Sequence, residues 1–307
     1  MKALITGGAG FIGSHICDRF AAEGYDVHVV DNLYSGKLEN LDPAWEFHEV
    51  DVSTPELAKV FAAVKPELVV HAAAQIRARS TDYLLDTRYN IIGSINVFTL
   101  AAEYGAKRVV NFSSGGVVYG EPTRLPCDES HPLAPPNSYG ISKLTAERYL
   151  ELISQTSELE YATIRPANIY GPRQSADGEA GVCSIFAGKM LDGEIPVIYG
   201  RGDHTRDYLF VSDLVDAVWR MATDDKAAGK TYNVGTGIQT DVLTVQGELA
   251  RITGYSGLVQ HGPEPEEISH SALDYSLIKN ELGWQPHYDL GEGLGKLVDW
   301  IKSGNAR

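Results

Sequence analysis

The chain has 307 residues, 43% of them hydrophobic, enough for a large core in one α/β unit or two lobes. Its formal net charge of -15, from 41 acidic against 26 basic residues, opposes binding to nucleic acid or to an anionic membrane. Three cysteines, Cys17, Cys127 and Cys183, share no metal-ligand spacing, so they read as reduced thiols and no metal is expected. The first strand, "KALIT", begins at once with no signal peptide ahead of it, and no apolar run reaches membrane-spanning length. The expectation is a cytoplasmic protein. A helix follows in "FIGSHICDRFAAE", with Phe11, Ile12, Ile16 and Phe20 at helical spacing and Gly24 as its stop. "DVHVV" reads as a second strand, "WEFHEV" as a third and "PELVVHAAA" as a fourth. A long helix over roughly 82–104 then ends at Gly105. "KRVVNFSS" supplies a fifth strand, "SYGISKLTAERYLELI" a helix and "YATIRPANIYG" a sixth strand. Such alternation builds a doubly wound parallel sheet with crossover helices. Beyond about 170 the rhythm breaks into short strands, short helices and turns. The α/β fold is therefore expected to comprise a nucleotide-binding domain, 1–170, and a smaller C-terminal substrate lobe, 171–307, with chain crossings between them.

The loop "TGGAGFIGSH" sets Gly7, Gly10 and Gly13 between the first strand and its helix. A Rossmann-type dinucleotide site needs glycines there for a tight turn, for approach of the pyrophosphate, and for close helix–strand packing. The second strand ends in an acid, Asp31 of "HVVDNL". A carboxylate in that place hydrogen-bonds the adenosine ribose hydroxyls and repels a 2′-phosphate. Asn32 and Leu33 offer no cation to reverse that preference, the nearest being Lys37, so NAD is expected over NADP. Asp51 and Val52, ending the third strand, are candidates to flank the adenine. The alternative for Asp51 is a cap or turn before "STPEL".

"YGISK" places Tyr139 and Lys143 on one face of a helix. A phenol titrates near pH ~10 and serves as a base near neutrality only where positive charge lowers that value. Lys143 and an oxidised nicotinamide would supply it. The same spacing recurs in "YSLIK", at Tyr275 and Lys279, but in the second lobe, where Tyr275 reads as a packing residue.

With "GGAGFIGSH", "DNL", "HAAA", "VYG", "SYGISK", "RPANIYGPRQ", "RDYLFVSDL", "YNVGTG" and "LGW" in this order, the chain resembles the extended short-chain dehydrogenase/reductases nearly end to end. Within them it is most similar to the UDP-sugar 4-epimerases. That resemblance implies that Tyr139 takes the proton of the sugar 4-hydroxyl while the C4 hydride leaves to NAD. The keto sugar then turns about its diphosphate and is reduced on its other face. It implies that Lys143 holds the nicotinamide ribose, and that Phe11, Ile12, Asn32, Ala72, Ala73 and Asn90 line the cofactor. Asn168 would touch substrate and Arg206 the nucleotide diphosphate. Arg173 is either a further substrate contact or a surface salt-bridge partner. A homodimer formed by the helices near 82–104 and 140–155 is implied too.

The chain departs from the family at two places. Family members carry serine or threonine four residues before the tyrosine of "VYG", where this chain has Gly115. Either Ser114 takes over the hydroxyl's role, helped by the freedom of Gly115-Gly116, or Ser113 and Ser114 only satisfy strand-end amides. The related 4,6-dehydratases need an Asp-Glu pair where Gly116 and Val117 stand. Counting back from "LGW" places Glu264 where the family has a diphosphate-binding arginine, and Ser271 beside the sugar's 2-substituent. A small residue there leaves room for an acetamido group. The leading reading is interconversion of UDP-glucose and UDP-galactose, with the N-acetylhexosamine forms also admitted. The alternatives are another nucleotide-sugar oxidoreductase, such as a uronic acid epimerase or dehydratase-like enzyme, or an NAD-binding protein with impaired catalysis. Presence of both Tyr139 and Lys143 counts against the last.

Overall fold

The computed structural model describes residues 1–76, 82–175, 181–265 and 267–304. Six strands, β1 (Lys2–Thr6), β2 (Asp26–Asp31), β3 (Glu46–Glu49), β4 (Leu68–His71), β5 (Arg108–Phe112) and β6 (Glu160–Pro166), join the strand Lys230–Val234 in one parallel sheet. Its order is Lys230–Val234, β6, β5, β4, β1, β2, β3. Chain direction along the sheet therefore reverses between β1 and β4, and the crevice beyond their C-terminal ends is where such sheets bind ligands.

Helices α1 (Phe11–Ala22), α2 (Leu57–Val64), α3 (Tyr83–Asp86), α4 (Gly93–Glu103) and α5 (Ser138–Gln155) accompany the first six strands. On one face, α1 lays Ile16 and Phe20 against Ile5, Val29, Val70 and Val110. On the other, Phe61 of α2, Phe98 of α4 and Leu150 of α5 cover Leu4, Val69 and Val109. Because both faces are buried, successive strand residues are apolar instead of alternating with polar ones.

Two features differ from the sequence pattern. The expected single helix over 82–104 is interrupted by a π-helical turn, Thr87–Ile92, between α3 and α4. Within it the Ser94 hydroxyl donates to the Asn90 carbonyl at 2.5 Å. Such turns accommodate an extra residue and re-aim side chains, frequently at functional sites. The sixth strand divides at Ala167, and its second part, Asn168–Tyr170, leaves the sheet to pair with Tyr208–Phe210. Beyond residue 170 the chain crosses back: the helix Val211–Thr223 packs Leu214 and Val218 into the α1 side of the core, and Lys230–Val234 pairs with β6.

Gly13 shows how tightly the first turn is closed, since a Cβ there would sit 2.1 Å from the Gly7 carbonyl oxygen. Gly247, inside the helix Val242–Thr253, has open space around the same position. Gly13→Ala should lower unfolding stability by about 1–3 kcal/mol, the usual penalty of overpacking. Gly247→Ala should raise it by roughly 0.5–1 kcal/mol. Urea titration of the two variants checks this, and equal midpoints would refute the packing argument.

Candidate active site

The crevice between β1 and β4 opens into a cleft of about 1380 Å³. Gly7, Gly10, Phe11, Ile12 and Gly13 line one part of it, and Asp31, Asn32, Val52, Ala72 and Ala73 another. Gly7 adopts φ of +71°, and a Cβ on it would meet the Ala73 amide nitrogen at 2.7 Å. The helix α1 starts at Gly10 with no side chain capping it. Its leading amides are thus available to an anion, and the macrodipole favours one there. Asp31 holds its carboxylate in place through the amides of Ala9 (3.1 Å) and Leu33 (2.8 Å). Burial pushes its pKa above the ordinary value, against those amide bonds, which lower it. A cradle that a Cβ would fill, an uncapped helix start and a carboxylate at the second strand's end together fit a dinucleotide.

Asp51 is the turn residue of its two alternatives. Its carboxylate accepts from the Ser53 amide (2.8 Å) and hydroxyl (2.7 Å) and pairs with Arg88 at 3.1 Å. Its neighbour Val52 lines the cleft and Asp51 does not. Arg173 also reaches the cleft wall but is committed to Asp18 of α1 at 2.6 Å, the salt-bridge alternative.

The cleft leads to a second cluster through Gln75, which lines it. The Asn90 amide accepts from the Gln75 backbone at 2.7 Å, and donates to the Gln75 carbonyl (2.9 Å) and the Ser142 hydroxyl (3.0 Å). Ser142 donates to the Tyr139 carbonyl at 2.7 Å. A hydrogen bond between Ser138 and Asp86 makes a second tie between α5 and α3. Asn90, read as a cofactor contact, is here a clip that fixes the loop after β4 against α5. Asp86 lies in no motif, and Ser142 stands inside "YGISK", where the spacing argument used only Tyr139 and Lys143.

Tyr139 opens α5, and burial pushes its phenol up to about 12, with hydrogen bonding to Ser114 working the other way. Of the nearby hydroxyls, Ser114 is the one that acts on the titration of this tyrosine. Gly115, at the position where a hydroxyl was expected by counting, faces elsewhere: a Cβ there would lie 2.4 Å from Leu273 Cδ1 and 3.0 Å from the Arg165 carbonyl oxygen. Lys143 is also buried, and burial brings its ammonium down to about 8, opposed by the Glu147 carboxylate. The expected depression of the tyrosine by Lys143 is not what governs it. Lys143 acts instead on His71, at the end of β4, and burial is the larger cause holding that imidazole at about 3. His71 is wedged neutral between Thr6 (2.7 Å) and Ser94 (2.9 Å).

Behind this cluster, Arg165 of β6 forms a bidentate pair with Glu147 of α5, at 3.0 and 2.7 Å. Arg165 also donates to the Tyr119 hydroxyl at 3.0 Å, which donates to Asn233 at 2.7 Å. On the substrate side, Asn168 lies near the Ser114 turn, its Oδ1 3.6 Å from where a Gly116 Cβ would be. Arg206 is paired with Glu267 at 3.1 Å. Glu264, expected opposite the diphosphate by counting, lies instead beside His204 at 3.3 Å. Ser271 is buried and its amide donates to the Thr205 carbonyl. The adjacent Asp207, fully buried, accepts from Thr236, Gly237 and Leu273 and fastens these loops together. Tyr275 packs edge-on against Trp284, as a packing residue should.

A family model described as NAD dependent epimerase/dehydratase matches residues 3–235. The UDP-glucose 4-epimerase of Mycolicibacterium smegmatis is 38% identical over 311 residues, covering 99% of each chain. The solved UDP-glucose 4-epimerase of Thermotoga maritima, with UDP-glucose, has TM-score 0.96 and 40% identity, covering 99% of this chain and 100% of that one. That of Thermus thermophilus, in complex with NAD, has TM-score 0.94 and 35% identity, covering 98% and 99%.

The buried His71 imposes a pH dependence. Below its ordinary value of 6.5 the unfolded imidazole binds a proton that the native one refuses until about 3. Stability should therefore fall as pH drops from 7 toward 5. His71→Asn should flatten the fall, leaving the share due to His15 and His48, whose values burial also lowers. Unfolding midpoints at several pH values measure this, and an unchanged slope in the variant would refute it.

Proposed function

The chain belongs to the NAD dependent epimerase/dehydratase family, and from that premise we propose that it is a UDP-sugar 4-epimerase interconverting UDP-glucose and UDP-galactose. The observation that carries this reading is the buried pair Tyr139 and Lys143 on one face of α5, joined to a dinucleotide cleft through Gln75 and Asn90, with Ser114 acting on the phenol. NAD bound in that cleft supplies an acceptor, and later a donor, for the hydride at the sugar C4. Gly7, Gly10, Phe11, Ile12 and Gly13 would hold its pyrophosphate, and Asp31 with Asn32 its adenosine ribose. Val52, Ala72 and Ala73 wall the cleft on the opposite side.

Tyr139 takes the proton of the sugar 4-hydroxyl and returns it to the 4-oxygen at the end. A phenol at about 12 keeps its proton at neutral pH, so it needs the added positive charge of oxidised nicotinamide alongside. Ser114 shares its hydrogen bond between the phenol and the sugar 4-oxygen. Lys143 anchors the nicotinamide ribose from the same helix face. Arg206 takes the diphosphate in place of Glu267, a fork-on-oxyanion contact suited to guanidinium. Asn168 orients the sugar, and Arg173, tied to Asp18, serves the cleft wall. Gly116 and Val117 can move no proton, which argues against dehydration.

The small side chain of Ser271 supports a pocket that also admits the N-acetylhexosamine forms. A homodimer is supported by an exposed apolar stripe, Ile141, Tyr149 and Leu152, on α5, with Ile92 nearby on the π-helical turn. Among the described residues no helix is long and apolar enough to cross a membrane, consistent with a cytoplasmic site of action.

The purified protein should convert UDP-glucose to UDP-galactose without added NAD, because the reaction consumes no net redox equivalent. Tyr139→Phe should cost ~10²–10⁴-fold in turnover, whereas Tyr275→Phe should cost little. Ser114→Ala should cost roughly ten- to a hundredfold, the worth of one hydrogen bond to a charged group. Equal losses at Tyr139 and Tyr275 would place the active site elsewhere.

UDP-N-acetylglucosamine and its galacto epimer should also be turned over by the unmodified chain. Ser271→Tyr should abolish that activity and spare the UDP-glucose pair. Unchanged selectivity in the variant would show that Ser271 does not line the sugar pocket.

A further inference from the structure

At the outer edge of the sheet, β2 and β3 gather two imidazoles and a carboxylate. His28 and Glu46 are register partners, and His48 follows two residues later on the same face of β3, the outermost strand of the sheet. The potential ligand atoms of His28, Glu46 and His48 all lie within 4.8 Å of one another. Glu46 turns one oxygen to His28 Nδ1 at 3.3 Å and the other to His48 Nε2 at 3.6 Å. The two rings are stacked, 12° from parallel.

His28 is 3% exposed, yet neither of its ring nitrogens has a hydrogen bond, and His48 Nε2 has none either. Buried polar atoms are ordinarily satisfied, and two unbonded imidazole nitrogens converging on one carboxylate call for a shared partner. Neutral imidazole is the state that ligates a metal.

We propose that His28 Nδ1, His48 Nε2 and the Glu46 carboxylate bind a divalent cation of the zinc type, with solvent completing the coordination. Imidazole and carboxylate together suit borderline ions over Mg²⁺ or Ca²⁺. Asp26 adds a partner behind the ligands: its carboxylate lies 3.4 Å from His28 Nε2, the nitrogen turned away from Glu46. A carboxylate in that place fixes the ring's tautomer and raises its basicity as a ligand. The ion would tie the outermost strand to its neighbour. The role is structural, since none of the three ligands lines the cleft.

The test uses the whole chain stripped with a chelator and titrated with Zn²⁺ against a chromogenic competitor. One equivalent should bind, thermal midpoint should rise, and affinity should fall as pH drops from 7.5 to 5.5. His48→Gln and Glu46→Gln change partly exposed positions and should fold; each should weaken binding by at least ~10–100-fold, the loss typical even of an outer-shell partner. A second group, Asp203, His204 and Glu264, could also attract Zn²⁺, so His204→Gln is the control and should bind as the parent does. Absence of stoichiometric binding, unaltered affinity in His48→Gln, or loss of binding in His204→Gln alone would each overturn the proposal.

Discussion

The bidentate pair between Arg165 and Glu147 has side chains only 5% and 1% exposed, and the geometry of the proposed active site hangs on it. Two charges so placed are tolerable only because each satisfies the other; removing one partner from such a pair costs about 3–5 kcal/mol. The pair joins β6 to α5 one helical turn beyond Lys143, whose buried ammonium Glu147 helps to keep charged. Through Tyr119 and Asn233 the same guanidinium reaches the strand Lys230–Val234. One interaction thus sets the pitch of the helix carrying Tyr139, the turn after β5 carrying Ser114, and the seam between the two parts of the chain.

Much of this was legible in the sequence, for local reasons. The glycine loop, Asp31 and the Tyr139–Lys143 spacing are each defined within one strand–turn–helix unit, where periodicity and turn chemistry speak directly. What was illegible is non-local. Gly115 misleads when positions are counted from Tyr119, because its backbone is packed on Leu273, which lies far off in the chain, and leaves no room for a side chain. Asp51 could be a cap or a cofactor contact until Arg88 was found beside it. Asp86, Ser138 and Ser142 are ordinary helix polar residues by pattern, and only the π-helical turn brings them into register with Asn90. The lysine's influence was misjudged since helical spacing fixes a face but not where a long side chain ends.

The acidic character of the chain reappears at Arg206. A chain of net charge -15 offers no general attraction for a diphosphate, and the one arginine assigned to it is already held by Glu267. In the proposed function, nucleotide binding is an exchange of one anion for another on the same guanidinium, and its strength would depend on how readily Glu267 can be rehydrated. Glu267 belongs to the segment that continues to Ser271 and Leu273, so the proposed diphosphate contact and the proposed sugar pocket share a stretch of backbone.

The strand Lys230–Val234 has a meaning beyond the seam it makes. It lies against β6 through five register pairs, Lys230↔Ala162 to Val234↔Pro166, and without it β6 would present a row of bare amides and carbonyls. Open edges of that kind are templates for pairing with other chains. During synthesis β6 is made well before its cover, so the nascent chain passes through a stage in which its longest strand is unprotected. The residues after 170 therefore act as a guard against self-association, and the order of synthesis leaves that guard until late.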